Sequence, residues 1–93
     1  MKPAAMKTIW KFEMPPSWEI SMPAGAEFLS IGEQHNKVCL WMLVDPEATD
    51  EIRRFAVFGT GHPVPDIPLR FLGSVQLFDG DLVFHAFERA NEK

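Results

Sequence analysis

The segment Val38-Cys39-Leu40-Trp41-Met42-Leu43-Val44 decides the fold of this chain. Side chains alternate between the two faces of a strand, and here both alternating sets are apolar. Such a run is typical of a strand that is buried on both sides. We therefore predict that residues 38–44 form the central, most buried strand of a β-sheet, covered on both faces.

The segments on either side of it alternate between apolar and polar residues, which predicts half-buried strands. In residues 8–14, Trp10 and Phe12 fall on one side and Lys11 and Glu13 on the other. Similar patterns predict strands at 18–22, 27–33, 52–58, 69–78 and 82–88. No segment has a clear helical period, so we predict an all-β fold: a small single-domain antiparallel meander of about seven short strands, barrel-like or a two-sheet sandwich. We favour the barrel-like form.

Turn residues separate these strands and mark irregular positions. Residues 34–37 and 79–81 predict tight turns between neighbouring strands. Gly73 predicts a bulge or a close approach of two backbones. Residues 45–51 begin with Asp-Pro, which suits a helix start, and are long enough for a single helical turn. At the termini, residues 1–6 are predicted to be a flexible extension and residues 89–93 a frayed tail.

Length and composition bound the class of protein. The chain has 93 residues, of which 46% are hydrophobic, and this corresponds to one domain, residues 1–93. The net charge of −4 argues against direct nucleic-acid binding, which needs clustered Lys and Arg. The single cysteine, Cys39, excludes an internal disulfide and is predicted to be a buried small apolar residue. No stretch approaches the roughly 20 apolar residues of a membrane span, so we expect a cytoplasmic protein with no membrane partner.

The sequence Gly59-Thr60-Gly61-His62-Pro63 follows the fifth predicted strand and forms the loop most suggestive of chemistry. Glycines permit unusual backbone angles and prolines fix others, so this loop should be semi-rigid. His62 has two interpretations: a general acid or base near neutral pH, or an exposed histidine that stiffens the turn, which we favour. The loop has only two glycines, and Pro63 stands where a helix would have to begin, so the phosphate-binding loop motifs are not met.

The other chemistry-bearing residues form no recognisable constellation. Thr60, Asp66, Ser74 and His85 lack a spacing that identifies a catalytic triad with His62. The three histidines show no metal-ligand spacing, and His85 is predicted to be a hydrogen-bonded core or rim residue. The acidic residues are predicted to be solvated and the three tryptophans to pack in the core. We therefore predict a non-enzymatic protein with no metal site and no cofactor.

Several segments, taken in order, resemble a family of small uncharacterised proteins from bacteriophage and prophage genomes. They are KTIWKFE at 7–13, MPAGA at 22–26, LWMLVDP at 40–46, RF at 54–55, GTGHP at 59–63, LGSVQ at 72–76 and LVFHAFE at 82–88. The family is a domain of unknown function. The resemblance therefore implies a phage or mobile-element origin and an accessory role in the cytosol of a bacterial host, with no catalytic residues to carry over. Inhibitors of bacterial defence systems, including anti-CRISPR proteins, are one class of such accessory proteins.

The residues and the resemblance together predict a small phage-type accessory protein that binds a host or phage protein, with inhibition of a host defence complex as the leading role. Two alternatives stay open. One is a small-molecule-binding or hydrolytic protein that uses His62, and the other is a minor virion or assembly component, which a stable homo-oligomer would favour. The predicted contact residues lie in the loop after the fifth strand, in the acidic segment and in the arginine pair: Gly59, Thr60, Gly61, His62, Asp66, Asp45, Glu47, Asp50, Glu51, Arg53 and Arg54.

Overall fold

A computed structural model describes residues 6–90, which form seven antiparallel strands and no helix. All seven predicted strands are present, with ends within two residues of the predicted ones. The all-β fold is therefore confirmed. The strands are β1 (Thr8–Glu13), β2 (Glu19–Pro23), β3 (Glu27–Gln34), β4 (Lys37–Val44), β5 (Asp50–Gly59), β6 (Leu69–Leu77) and β7 (Leu82–Arg89).

The strands form two sheets that pack as a sandwich. One sheet has three strands in the order β1-β4-β3, and the other has four in the order β2-β5-β7-β6. The two sheets approach each other where β3 lies beside β6, but no hydrogen-bonded ladder joins them into a closed barrel. Of the two predicted forms, the sandwich is the one observed. At this junction β6 has a register shift between Phe71 and Gly73, so the predicted irregularity at Gly73 is confirmed.

The core lies between the two sheets. From β4, the side chains of Leu40, Met42 and Val44 are fully buried there. They pack against residues of the four-stranded sheet and its connections, including Ile20, Met22, Ala26 and Phe55. This face of β4 is covered as its apolar sequence predicts, and it forms the most buried part of the molecule.

Within residues 6–90, no second sheet covers the opposite face of β4, although Cys39 is buried on it. Trp41 and Leu43 lie on this face and are partly exposed, so the prediction that both faces are covered is wrong there. Cys39 is fully buried between its neighbours, as predicted. Burial raises the pKa of its thiol because a thiolate would lose its hydration.

The connection from β4 to β5 is a turn, and the predicted single helical turn is wrong. Only residues 45–49 separate the two strands, because β5 already begins at Asp50. The backbone N–H of Ala48 donates to the carbonyl oxygen of Asp45 over 3.0 Å. The carboxylate of Asp45 accepts a bond from the N–H of Glu47, also at 3.0 Å. Asp45 therefore closes a β-turn, a role that its short side chain favours.

The predicted terminal segments are described only in part. Residues 1–5 and 91–93 lie outside the described residues. Met6 is highly exposed. At the other terminus Arg89 is the last residue of β7, and the N–H of Ala90 donates to the carbonyl oxygen of Pro68 over 3.3 Å. The ordered ladder thus extends two residues into the segment predicted to fray.

Candidate functional site

The two ends of the sandwich differ, and β5 runs from one to the other. We call the end formed by the turns 24–26 and 45–49 the packed end, and the end formed by the loops 14–18, 35–36, 60–62 and 78–81 the cleft end. The rest of the loop to β6 crosses the sheet, because Pro68 bonds to Ala90 at the other end of β7. From Asp50 to Gly59, β5 spans roughly 30 Å at about 3.3 Å per residue. The acidic segment and the Gly59–His62 part of the predicted loop surface are therefore far apart and do not form one site.

At the packed end, a partly buried ion pair joins two strands of the four-stranded sheet. Arg53 donates from Nε and Nη2 to the carboxylate of Glu88, and from Nη1 to the carbonyl oxygen of Ala26 over 2.8 Å. The side chains of Arg53 and Glu88 are only 14% and 15% exposed. Hydrogen bonding to Glu88 raises the pKa of Arg53 further above its ordinary value. The guanidinium of Arg53 is thus occupied by contacts that hold the fold.

The other predicted residues of this region divide between structural and exposed positions. Glu51 accepts a hydrogen bond from the backbone N–H of Gly25 over 3.1 Å, which ties β5 to the neighbouring turn. Arg54 is exposed and pairs with Glu19 at 3.0 Å. Glu47 and Asp50 are exposed. Their role in binding a partner stays a prediction.

An apolar concave feature, which we call the cleft, opens at the cleft end. It has a volume of about 560 Å³, within the range of roughly 300–1,000 Å³ typical of ligand sites. It lies where the inner faces of the two sheets separate, so its walls are mainly apolar. Its lining comprises Met14, Pro15, Pro16, Trp18, Val38, Val57, Leu77 and Phe84, with Glu13, Asn36 and Lys37 as its polar residues.

Two aromatic residues at this end have backbone conformations that bulky side chains avoid. Trp18 has φ = 60° and Phe78 has φ = 53°, in the left-handed region where large residues are outliers. Both side chains are nonetheless exposed, by 41% and 49% respectively. Strained residues of this kind persist only where surrounding contacts impose the conformation, and they concentrate at functional sites.

Hydrogen bonds hold both aromatic residues in these conformations. The N–H of Trp18 donates to Pro15 over 3.0 Å, and its carbonyl oxygen accepts from Phe55 over 2.8 Å. The N–H of Phe78 donates to the side-chain oxygen of Asn36 over 3.0 Å. Asn36 lies in the two-residue turn between β3 and β4, so this bond fastens one hairpin tip to the other. The aromatic side chains are therefore presented to solvent from a fixed backbone.

The Gly59–Pro63 loop lies beside the cleft, and its two glycines have structural roles. The N–H of His62 donates to the carbonyl oxygen of Gly59 over 3.1 Å, and Gly61 has φ = 87°, as a type II turn requires. The imidazole of His62 lies against Gly59, where an added Cβ would be only 3.0 Å from the ring. Residues 60–68 are exposed throughout. The loop therefore begins with a hydrogen-bonded turn, and its side chains are exposed to solvent.

A second, smaller depression of about 430 Å³ lies under this loop. Its polar lining residues are Thr60, His62 and Asp81. Phe84 lines both this depression and the larger cleft. The loop singled out from sequence is thus adjacent to the cleft, which the sequence analysis did not predict.

His85 lies on the outer face of the four-stranded sheet, and both of its ring nitrogens are hydrogen-bonded. Thr60 Oγ1 is 2.6 Å from Nε2 and Ser74 Oγ is 2.7 Å from Nδ1. The prediction of a hydrogen-bonded rim histidine is confirmed. The sequence alone does not indicate that the hydroxyl groups of Thr60 and Ser74 lie beside His85. The same face carries an aromatic cluster in which the ring of Phe87 lies 5.3 Å from Phe71 and 5.8 Å from Phe58.

Negative charge predominates around the cleft end. Asp79 and Asp81 are exposed on the turn between β6 and β7, and the ion pairs found within residues 6–90 involve neither of them. Asp66 is also exposed, but its neighbours Pro65 and Ile67 lie beside Phe55 and Arg89, away from this end. The basic residue of the cleft lining, Lys37, is 3.5 Å from the carboxylate of Glu13. A ligand at this end therefore meets an apolar cleft inside an acidic rim.

These features are not evident from the sequence, which predicts that the tryptophans pack in the core. Trp10 and Trp18 are both exposed, so that prediction is wrong for them, and Trp41 is partly exposed. The Pro15-Pro16 pair just before Trp18 was a usable signal, because prolines at a strand end favour a turn that can expose the next residue.

Residues 6–90 contain neither a cluster of metal ligands nor a membrane-spanning helix. In that part of the chain no three His, Cys, Asp or Glu side chains are close enough to hold a metal ion. No helix there is long and apolar enough to cross a membrane.

Comparison with known proteins gives a single family. The model of a domain of unknown function, DUF7352, matches residues 6–93. No curated protein and no solved structure matches the chain significantly.

Proposed function

The chain belongs to the DUF7352 family, whose domain has no known function, and on that premise we propose that it is a binding protein rather than an enzyme. Its cleft end binds a segment of another protein. The segment inserts an apolar side chain between the two sheets and contacts Trp18 and Phe78 at the rim.

The strained presentation of the two aromatic residues carries this proposal. A left-handed conformation costs a bulky residue about 1–2 kcal/mol, and glycine at Trp18 or Phe78 would avoid that cost. Exposed aromatic side chains bury a large area at little cost in conformational entropy when they bind a partner. A fold that keeps both of them strained and exposed beside an apolar cleft is well suited to binding.

Charge specifies the chemistry of the partner. The exposed aspartates Asp79 and Asp81 lie on the turn at the cleft end, and complementary charges both steer association and select partners. We propose that the bound segment carries an aromatic or large aliphatic anchor flanked by Lys or Arg.

The biological role that we propose follows from the resemblance to phage and prophage proteins. A small phage-type accessory protein of this design acts by covering a functional surface of a host protein, such as a component of a defence complex. A minor virion component is the alternative, and it predicts a partner encoded by the phage.

Selection of peptides from a random displayed library tests the binding chemistry without a known partner. The chain should enrich peptides with an apolar anchor and basic flanks. The double variant Trp18→Gly and Phe78→Gly, which removes both rings but suits the backbone, should lose most of this binding. Phe71→Ala, which removes an exposed ring from the outer sheet face, is the matched control. Enrichment of acidic peptides, or equal loss in the control, would contradict the proposal.

The depression beside His62 supports a second candidate function, the binding or hydrolysis of a small molecule. A histidine with two nearby polar groups in a concave site is the minimum that such chemistry needs. A panel of activated esters tests it: hydrolysis that His62→Ala abolishes and His35→Ala preserves would favour this function over protein binding. Equal rates in the two variants would exclude it.

A further inference from the structure

Strand β1 leaves one side of its backbone unpaired. It is the terminal strand of the three-stranded sheet and, among the described strands, it pairs only with β4. The N–H of Met14 donates to the carbonyl oxygen of Val38, which continues the register of that ladder. In an antiparallel pair, every second residue bonds to the partner strand. Thr8, Trp10 and Phe12 therefore bond to β4, and the backbone groups of the odd-numbered residues 7–13 point outward.

This edge lacks two of the usual protections against pairing with another strand, a proline and a very short length. Its charged residues Lys7, Lys11 and Glu13 restrict which pairings are favourable. The other sheet has a terminal strand, β2, that is only five residues long and ends in Pro23, which is a common way to block an edge. β1 has six residues and no proline. Its apolar side chains are exposed, Ile9 by 57% and Trp10 by 40%.

We propose that this edge binds a second copy of the chain through antiparallel pairing of the two β1 strands. The partner strand must bond through its own outward groups, so odd-numbered residues face odd-numbered residues. In the register that places Trp10 opposite Trp10 of the second copy, Lys7 faces Glu13 at both ends of the pairing and Ile9 faces Lys11. The three-stranded sheets then join into one six-stranded sheet.

Charge selects this register over its neighbours. Shifting the pairing by one step places Ile9 opposite itself and Lys7 opposite Lys11. Shifting it the other way places Lys11 opposite itself. Like charges directly opposite each other are destabilising in a sheet, so the Trp10-centred register is the most favourable of the three.

The ion pairs that Lys7 and Glu13 already form do not prevent these residues from pairing with the second copy. Lys7 lies 3.9 Å from Glu27, and Glu13 lies 3.5 Å from Lys37, with all four side chains about half exposed or more. Exposed pairs contribute only about 0–1 kcal/mol each. Lys7 and Glu13 can therefore contact the second copy at little cost.

Charge reversal tests the pairing with a result that a general surface effect cannot produce. By sedimentation equilibrium, the wild-type chain should dimerise as its concentration rises. Lys7→Glu alone and Glu13→Lys alone should each place like charges opposite one another and weaken self-association at least tenfold. An equimolar mixture of these two variants should form heterodimers, because each reversed residue then faces an opposite charge. Glu47→Lys, which makes the same charge change at a distant turn, should dimerise as the wild type does.

A proline tests the backbone pairing itself. Lys11→Pro removes an N–H that points away from β4, so the monomer should keep its near-ultraviolet circular dichroism while dimerisation is lost. If this variant does not fold, heterodimer formation in the mixture of the two charge-reversal variants tests the pairing instead. A wild-type chain that stays monomeric at every concentration, or single charge variants that dimerise like the wild type, would overturn the proposal.

Discussion

At the packed end of the sandwich, Arg53 is held by Glu88 and Ala26, whereas at the cleft end Trp18 and Phe78 are exposed in strained conformations beside a cavity of about 560 Å³. The same two sheets form both ends. The packed end gains stability from buried contacts between its side chains. The cleft end gives up some of that stability and leaves apolar surface available. In the proposed function, incomplete closure of the core at one end is what provides the binding surface.

Matched leucine truncations should show the largest difference between the well-packed core and the cleft. Leu40 is fully buried in the core, and Leu40→Ala should cost about 4 kcal/mol of the free energy of unfolding. Leu77 lines the cleft, and Leu77→Ala should cost about 2 kcal/mol, because it enlarges an open cleft instead of creating a closed cavity. Urea denaturation measures both values. Equal costs would show that the cleft is closed in solution.

Removing an arginine should be costly only at its partly buried position. Arg53→Ala leaves the carboxylate of Glu88 without its partner in a mostly covered position and should lower the free energy of unfolding by about 2 kcal/mol. The neighbouring Arg54 forms an exposed pair with Glu19, and Arg54→Ala should cost less than about 0.5 kcal/mol. Thermal unfolding of the two variants side by side gives the comparison. Similar losses would mean that burial does not distinguish these pairs.

Glycine at a strained aromatic position should separate stability from binding. Phe78→Gly suits the left-handed backbone and should raise the free energy of unfolding by about 1 kcal/mol. It should also weaken binding of selected peptides, because the exposed ring is lost. The control variant Leu82→Gly, at an exposed position in the extended backbone of β7, should lower the free energy of unfolding instead. A destabilised Phe78→Gly variant with normal binding would contradict the proposed role of the strain.

The thiol of Cys39 should make a small, pH-dependent contribution. Its pKa is raised in the folded chain by burial, so the unfolded chain ionises first as the pH rises. Stability is therefore unaffected below the ordinary thiol pKa and falls above it, by at most about 1.4 kcal/mol per pH unit. The Cys39→Ala variant should lack this alkaline slope. Identical slopes in urea titrations from neutral to alkaline pH would show that the thiol ionises equally in both states.

Much of the fold is encoded in local patterns that can be read without the structure. Alternation in segments such as residues 8–14 and the turn residues at 34–37 locates the strands, because both signals act within a few residues of chain. The pairing of β1 with β4, the outer face of β4 and the exposure of Trp18 depend on contacts between distant segments. The identity of an apolar residue does not indicate whether its side chain is buried in the core or lines an open cleft.

The candidate site shows the same division. The sequence identifies the Gly59–Pro63 loop and its rigidity, since glycine and proline act locally. It does not reveal that Thr60 contacts His85, or that the loop lies beside the cleft, because these depend on the β5–β7 pairing. The bond from the N–H of Phe78 to Asn36, 42 residues away in the chain, likewise depends on how the two hairpins pack together.

Titration of the ¹⁵N-labelled chain with a selected peptide, followed by amide chemical shifts, locates the binding surface residue by residue. Binding at the cleft end should shift the amides of Val38, Val57, Leu77 and Phe84 and leave Ile52, on the outer face near the packed end, unchanged. Shifts concentrated around Phe71 and Phe87, with the cleft amides unchanged, would contradict the assignment of binding to the cleft.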